Sequence, residues 1–414
     1  MIYHLFSQFS APSIKKTINT SLVSLGLISF GLNANDFEQC QLAFKKSATE
    51  LNYSSYIIDN VISGLSPIER VQQLDKRQPE FSETFAEYIG KRVTDYRVQE
   101  GKKKLTKHKE LLQQLTQKYG IPAQYLVAFW GLETNYGRHK GKMSVLNAIA
   151  TLACDKRRSQ YFTGELFKLF DLIDDKQVTV EQLQGSWAGA MGHMQFMPTA
   201  LKTYGIDGDG DGKVDVWQSE ADALTSAANY LHQIGWHQNQ RWGREVILPD
   251  NFNYAEIEQD TFYPLSRFKA LGVTTIYQQP LSHYSIEAEL FLPAGHHGPA
   301  FLVYPNFDVI MKWNLSKNYA TAVGLLANRI VGAKKRQFTL LDDKHRYTRK
   351  ELQQLQSKLQ SLGYKTGKPD GIWGPNSRKA IRSFQLAKNL VADAYPNNAV
   401  FDAAEIEKKG LALK

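Results

Sequence analysis

The chain has 414 residues, enough for two or three domains and a sizeable core. Hydrophobic residues make up 43% and charged residues 22%, ordinary globular values that exclude wholesale disorder, collagen-like repetition and a disulfide-dense miniprotein. Lys and Arg number 50 against 41 Asp and Glu, and the net charge of +9 favours an anionic partner such as nucleic acid, lipid headgroups or a cell-wall polymer. At the N-terminus, Lys15 and Lys16 precede an apolar stretch from Ile18 to Leu32 that is too short and too polar-flanked for a membrane span. It reads as a secretory signal over residues 1–34, with the mature chain starting near Asn35 and exported to the periplasm. A retained N-terminal anchor is the alternative. Lipid attachment is disfavoured, because Phe37-Glu38-Gln39 precedes Cys40 where a lipoprotein signal needs small apolar residues. Loss of Lys15 and Lys16 takes the charge from +9 to +7, so the basic balance belongs to the mature protein, and export argues against nucleic acid as its partner. Cys40 and Cys154 both survive signal removal; an even pair in an oxidising compartment either bridges or remains as two buried thiols.

From Asp36 to about Gly332 apolar residues recur mostly at helical spacing, as in Leu111, Leu112, Leu115 and Tyr119. Lys102, Lys103, Lys104, Lys107 and Lys109 read as a solvated helix face. Between Trp242 and Pro305 the texture changes to short runs rich in Val, Ile, Tyr and Phe punctuated by Pro and Gly, which predicts a small strand-bearing part over 242–305. Helical spacing returns at Tyr319 to Ile330. A polar linker is expected over 333–346 and a separate module over 347–414. The fold class is therefore mainly α with an α+β element.

Three constellations carry chemistry. Gly120-Ile121-Pro122-Ala123 opens a helix on which Leu126, Phe129, Trp130 and Glu133 share one face. A carboxyl on an apolar stripe has its charged form disfavoured and its pKa raised, which suits a proton donor to the leaving oxygen of a glycosidic bond. A Glu near a helix end, paired with Arg138 or His139, is the plainer reading. Gly185 to Pro198 interleaves small residues with aromatics and sulfur. Such a run lets backbone approach another chain closely, either as the floor of a polysaccharide groove with Ser186 and Gln195 as polar contacts or as tight helix packing. Asp207-Gly208-Asp209-Gly210-Asp211-Gly212-Lys213 fits the start of an EF-hand calcium loop, with Asp207, Asp209 and Asp211 binding through side chains and Lys213 through its carbonyl. Position twelve is Gln218 where a bidentate Glu is usual, so the closing ligand must lie farther on; an acidic turn held by Gly without metal is the alternative.

Phe129-Trp130-Gly131-Leu132-Glu133-Thr134-Asn135-Tyr136-Gly137, together with the Gly185 to Pro198 run, closely resembles the membrane-bound lytic transglycosylase B family, bacterial enzymes that cleave peptidoglycan. Asp155 to Phe162, Ala228-Asn229-Tyr230-Leu231 and Asn306 to Tyr319 look like later landmarks in the same order, and the resemblance spans about Asp36 to Gly332. It implies a lysozyme-like helical catalytic domain over 35–332 in which Glu133 is the single catalytic acid and base. Ser186, Gln195, Tyr230, Asn314 and Tyr319 would line the saccharide groove, with Trp313 standing where a Tyr is expected and Arg157 and Arg158 joining the substrate-binding set. The reaction it implies cleaves the bond between N-acetylmuramic acid and N-acetylglucosamine and closes a 1,6-anhydro ring. A hydrolytic muramidase and a non-catalytic wall-binding protein are the alternatives. The resemblance also implies Asp222 as the closing metal ligand, with calcium structural and no cofactor for the chemistry.

In the C-terminal module, Leu352, Leu355, Leu359 and Leu362 lie on one predicted helical face, followed by Gly363-Tyr364, Asp370-Gly371-Ile372-Trp373-Gly374-Pro375 and a second helix with Ala380, Ile381, Phe384 and Gln385. The pattern resembles the three-helix peptidoglycan-binding domain found on many wall enzymes, although Asp393-Ala394-Tyr395-Pro396 stands where a Gly-containing turn is common. Such a module would raise the enzyme's effective concentration at an insoluble polymer. Glycan strands of peptidoglycan are the implied partner, with wall-synthesis or division proteins as further candidates.

Overall fold

The computed structural model describes residues 34–76, 83–155, 158–335 and 347–406. The expected signal over 1–34 and most of the expected linker lie outside these residues, apart from Ala34, which opens the first helix, and the 333–335 stretch. The chain divides into two compact units, one made of residues up to 78 together with 129–230, the other of 79–128 with 231–414. Among the described residues no helix is long and apolar enough to cross a membrane.

The first unit is helical. Its helices Ala34–Glu50, Glu69–Lys76, Val145–Ala153, Ser159–Asp174 and Pro198–Tyr204 are joined by one small two-stranded pairing, Met143–Ser144 on Gln184–Gly185. Every residue of Val145–Ala153 except Asn147 is buried, as a helix apolar on all faces requires. Cys40 and Cys154 form a disulfide with their Cα atoms 5.9 Å apart, tying the first helix to the end of Val145–Ala153. Of the two readings of the cysteine pair, the bridge holds.

In the second unit, helices Phe85–Arg92, Asp95–Lys107 and Lys109–Tyr119 come first. Thr84 and Thr94 cap the first two of these by accepting from Glu87 N and Arg97 N. Lys102, Lys103, Lys107 and Lys109 are exposed, so the lysine run is the solvated face expected. The strand-bearing part is an antiparallel sheet in the order Tyr263–Pro264, Glu287–Phe291, Ala300–Val303, Gly243–Ile247, Thr274–Thr275, within the 242–305 window read from the sequence. Phe268, Leu281, Leu290 and Leu302 fill its core. Trp242 enters the sheet lying against the helix Lys317–Ile330 at Gly324, where an added Cβ would come within 2.1 Å of the indole. No other residue fits there.

The module has the three short helices the resemblance implied, Arg349–Ser361, Pro375–Ala387 and Asn398–Ala403, packed on Leu355, Leu359, Ile381, Phe384, Val400 and Phe401. Leu362 departs from its expected face. It caps the first helix and is 48% exposed, because the chain turns there through Gly363 at φ +90°.

Direct packing, not the linker alone, connects the module to the strand-bearing part. Asp260 accepts from Arg378 Nε at 2.7 Å and Nη2 at 2.9 Å, and from Lys317 Nζ at 2.7 Å. Arg382 Nη2 donates to Ala255 O at 2.7 Å. The Asp393 to Tyr395 turn seats against Gly295, whose added Cβ would lie 2.8 Å from Asp393 Oδ2 and 2.9 Å from Tyr395 Cβ. His296 N donates to the same Asp393 oxygen at 2.9 Å. Ala394 takes the left-handed φ of +58° that a glycine would otherwise supply, held by the buried Gln385, which accepts from Ala394 N at 2.8 Å and donates to Asp393 Oδ1 at 2.7 Å. The turn that departs from the common glycine pattern is thus the docking element.

Burial opposes ionisation of Asp260, but the hydrogen bonds and charges of Arg378 and Lys317 outweigh it and hold the carboxyl down at about 2. A depressed carboxyl pKa contributes stability that is complete above the unfolded value of about 3.9 and is lost as pH falls through the folded one. Asp260→Asn should therefore lower unfolding stability by about 2 kcal/mol near neutral pH. In denaturation compared across pH, that difference should stay constant down to about pH 4 and shrink towards pH 2.

Candidate active site

Glu133 sits in the last turn of the helix Ala123–Thr134. The preceding helix closes at Gly120 with φ +76°, and the chain restarts after Pro122. The predicted apolar stripe is in fact apolar on every face: Tyr125 to Leu132 are all buried, and Glu133 is the first half-buried side chain after that run. After Thr134 the backbone turns through left-handed Asn135, Tyr136 and Gly137. This folds Tyr136 back under Gly131, where an added Cβ would meet its ring at 2.7 Å, and brings it edge-on to Trp130 at 5.9 Å. The glycine, tryptophan and tyrosine around Glu133 are therefore one packing unit.

Two hydrogen bonds fix this turn to the Gly-rich run and a third closes the turn on itself. Trp130 Nε1 donates to His193 Nδ1 at 3.1 Å, Thr134 Oγ1 donates to His193 O at 2.7 Å, and the same hydroxyl accepts from Gly137 N at 2.9 Å. His193 N in turn donates to Val216 O at 2.9 Å. An added Cβ at Gly137 would lie 2.3 Å from the His193 ring.

The run itself is packed tightly. A Cβ at Gly185 would stand 2.1 Å from Ala190 O, and one at Gly141 2.1 Å from Gly185 O. Ala188 to Met194 are buried, as close packing of the small residues requires. Ser186, half-buried, accepts from Ala190 N at 3.0 Å. Gln195 stands at φ +52° with its Nε2 committed to Gly192 O at 3.0 Å and Lys140 O at 3.2 Å, leaving Oε1 without a partner among the described residues.

Tyr230 also belongs to the first unit, stacked on Tyr204 with ring centroids 4.5 Å apart. Burial, then the neighbouring Tyr204 and Glu165, push its phenol up to about 12, so it remains a hydrogen-bonding hydroxyl at neutral pH. Sequence reasoning missed Glu165. Buried in Ser159–Asp174, it accepts from Thr199 N at 2.9 Å at the start of Pro198–Tyr204 and bonds Tyr161, and burial raises its pKa. The spacing of Tyr161 and Glu165, one helical turn apart, was the available signal. Arg158 pairs with buried Asp75 at 3.0 Å, while Arg157 lies outside the described residues.

Trp313, Asn314 and Tyr319 lie in the second unit, where Pro305–Trp313 ends and Ser316 caps Lys317–Ile330 through Tyr319 N. Trp313 and Asn314 are half-buried; Tyr319 is 1% exposed. Lys317, between them, is the lysine that bonds Asp260 and, at 2.5 Å, Glu289.

In the acidic loop, Asp207, Asp209 and Asp211 each offer a carboxylate oxygen within 4.8 Å of the others, a donor set suited to a hard cation. Backbone hydrogen bonds, that of Gly212 foremost, hold Asp207 below the usual carboxylate range. Asp222 is buried and used differently. Its Oδ1 accepts from Gly208 N at 2.8 Å and Asp209 N at 3.3 Å, and its Oδ2 from Asp215 N at 2.6 Å. It therefore braces the loop from behind. Lys213 is exposed and its N donates to Asp211 Oδ1 at 2.9 Å.

A half-buried carboxyl at the end of a buried helix, on a mainly helical scaffold, is an arrangement suited to the cleavage of a glycosidic bond. The transglycosylase SLT domain family matches residues 36–328, and a peptidoglycan binding domain matches residues 348–403. The membrane-bound lytic murein transglycosylase B of Escherichia coli K12 is 35% identical over 253 residues, 60% of this chain and 67% of that protein. The SltB3 structure from Pseudomonas aeruginosa in complex with NAG-anhNAM-pentapeptide is similar with a TM-score of 0.83 and 38% identity, covering 89% of this chain and 99% of that one. The Escherichia coli lytic transglycosylase Slt35 in complex with calcium is similar with a TM-score of 0.61 and 31% identity, covering 70% and 92%. The chain belongs to the transglycosylase SLT family; it is a lytic transglycosylase acting on peptidoglycan, with a C-terminal peptidoglycan-binding domain.

Thr134→Val keeps the shape of the side chain but leaves the buried His193 carbonyl and the Gly137 amide without their partner. It should cost about 2 to 3 kcal/mol in chemical denaturation and reduce cleavage of peptidoglycan in proportion to the disorder introduced beside Glu133.

Proposed function

We propose that this enzyme cleaves the β-1,4 bond between N-acetylmuramic acid and N-acetylglucosamine and leaves 1,6-anhydro ends, using Glu133 first as acid and then as base. The observation that carries the reading is the placement of Glu133, half-buried at the end of an apolar helix whose last turn is clasped to the Gly-rich run. In this mechanism Glu133 arrives protonated and gives its proton to the leaving oxygen as the bond to the anomeric carbon breaks. The muramoyl 6-hydroxyl then attacks that carbon, and its proton passes to the Glu133 carboxylate, which restores the acid with no water consumed. The acetamido group of the substrate stabilises the oxocarbenium-like stage where other glycosidases place a second carboxylate. Ser186, Gln195, Tyr230, Trp313, Asn314, Tyr319 and Arg158 are assigned to the saccharide; the unpartnered Gln195 Oε1 and the uncharged Tyr230 hydroxyl support contacts to sugar hydroxyls. A relative crystallised with NAG-anhNAM-pentapeptide supports the anhydro product.

Glu133→Gln should reduce turnover by about a thousandfold or more. Mass spectrometry of soluble products is the check: fragments one water lighter than hydrolytic ones, lost in the variant, are expected, and reducing ends would mean a muramidase.

Export to the periplasm is part of the same reading, supported by the signal-like N-terminus and by the disulfide. We also assign Asp207, Asp209 and Asp211 to a structural calcium ion, with the Lys213 carbonyl as a further ligand and Asp222 bracing the loop. The clustered carboxylates support this, as does a relative solved with calcium. Calcium should raise the unfolding temperature in calorimetry relative to a chelator, and Asp207→Ala should abolish that difference.

A further inference from the structure

A cavity of about 740 Å³ lies wholly within the second unit, between the Phe85–Arg92 helix, the Gly243–Ile247 strand and the end of Lys317–Ile330. None of the residues assigned to the saccharide lines it, and neither does Glu133. Its volume is that of a site for a ligand of several hundred daltons. Ile89, Val93, Trp242, Ile276 and Leu325 supply apolar wall.

Charge in the lining is one-sided. Arg241, Arg244, Arg329, Lys334 and Lys335 face only Asp95 and Glu245 as acids. Asp95 is already taken by two of the cations, Arg329 at 2.5 Å and Lys335 at 2.8 Å. Arg329 is further fixed by donating to Val93 O at 2.8 Å. Arg241 and Lys334, both exposed, have no carboxylate partner among the described residues.

We infer that this cavity binds a short peptide carrying several carboxylates, the chemistry of the stem peptides of peptidoglycan. The three cations that Asp95 does not engage, Arg241, Arg244 and Lys334, match a peptide bearing several carboxylates, and the apolar wall matches its methyl and methylene groups; a lipid anion would bring one headgroup to three cations. The choice of ligand rests on the peptidoglycan reading, but binding here requires no catalysis. The site would let the enzyme hold a peptide-bearing strand through groups that do not take part in bond cleavage.

The test is calorimetric titration of the full chain, carrying Glu133→Gln, with free stem tetrapeptide, repeated at high salt and with Arg241→Glu and Lys334→Glu added. Both of these changes replace exposed side chains, and an unaltered unfolding temperature certifies the fold. Saturable one-to-one binding, weakened about tenfold or more by each charge reversal and by salt, is expected. Absence of binding, or equal affinity in the charge-reversed proteins, overturns the proposal, as does saturable binding of a fatty-acid anion in place of the peptide. Because the Glu133→Gln background does not turn over, a failure here is separate from a failure of the acid and base assignment.

Discussion

The hydroxyl of Thr134 is the point on which the catalytic unit depends. It donates to the carbonyl of His193 and accepts from the amide of Gly137, so a single side chain closes the Glu133 helix and holds the Gly-rich run. The proposed mechanism asks one carboxyl to serve as acid and then as base, and such a group has to reach the leaving oxygen and then a hydroxyl on the same sugar without moving far. Helix ends ordinarily fray and leave carbonyls unsatisfied. Here the last turn is followed by three left-handed residues, folded back so that Tyr136 covers Gly131 and His193 covers Gly137. The motif around Glu133 is therefore conformational in origin as much as chemical.

The acidic loop shows the same division of labour on a smaller scale. Its three outer carboxylates cluster, while Asp222 turns both oxygens onto backbone amides of the loop. A buried carboxylate with three amide donors is satisfied without an ion, so the loop keeps its shape from within and a cation would add to a frame already made.

Much of this was legible in the residues. Strand texture between Trp242 and Pro305, the module and the acidic loop are local patterns, and they stand where their sequences put them. The Glu133 helix was legible as a helix but not as one buried on every face, because a stripe at steps of three and four is also present when all positions are apolar. The glycines of the 185–198 run admitted two readings, and the close approach that Gly185 makes to the carbonyl of Ala190, a backbone atom, is one that no residue type announces. Glu165 went unread for a similar reason. Its partner is the amide of Thr199, which comes to it only through the packing of two helices.

The docked module is the clearest case of information carried by tertiary contact. A linker rich in charge suggests a free tether, yet Arg378, Asp260, Lys317 and Glu289 form a chain of alternating sign that runs from the module through the strand-bearing part to the first turn of Lys317–Ile330. Buried ion pairs often contribute little net stability compared with apolar packing, since desolvation offsets the attraction. Burial accordingly raises the pKa of Glu289, against which Lys317 acts, whereas Asp260, with two cations on it, is held low. What such a chain does supply is geometry. The two-pronged contact of Arg378 with Asp260 is satisfied in one orientation, and sliding the module by a single residue would leave buried charges unpaired. An apolar patch would tolerate the slip. Lys317 also lies between Asn314 and Tyr319, so the residue that anchors the module belongs to the segment assigned to the saccharide, and the wall-binding domain is fixed to that segment by charge instead of hanging from it by a tether.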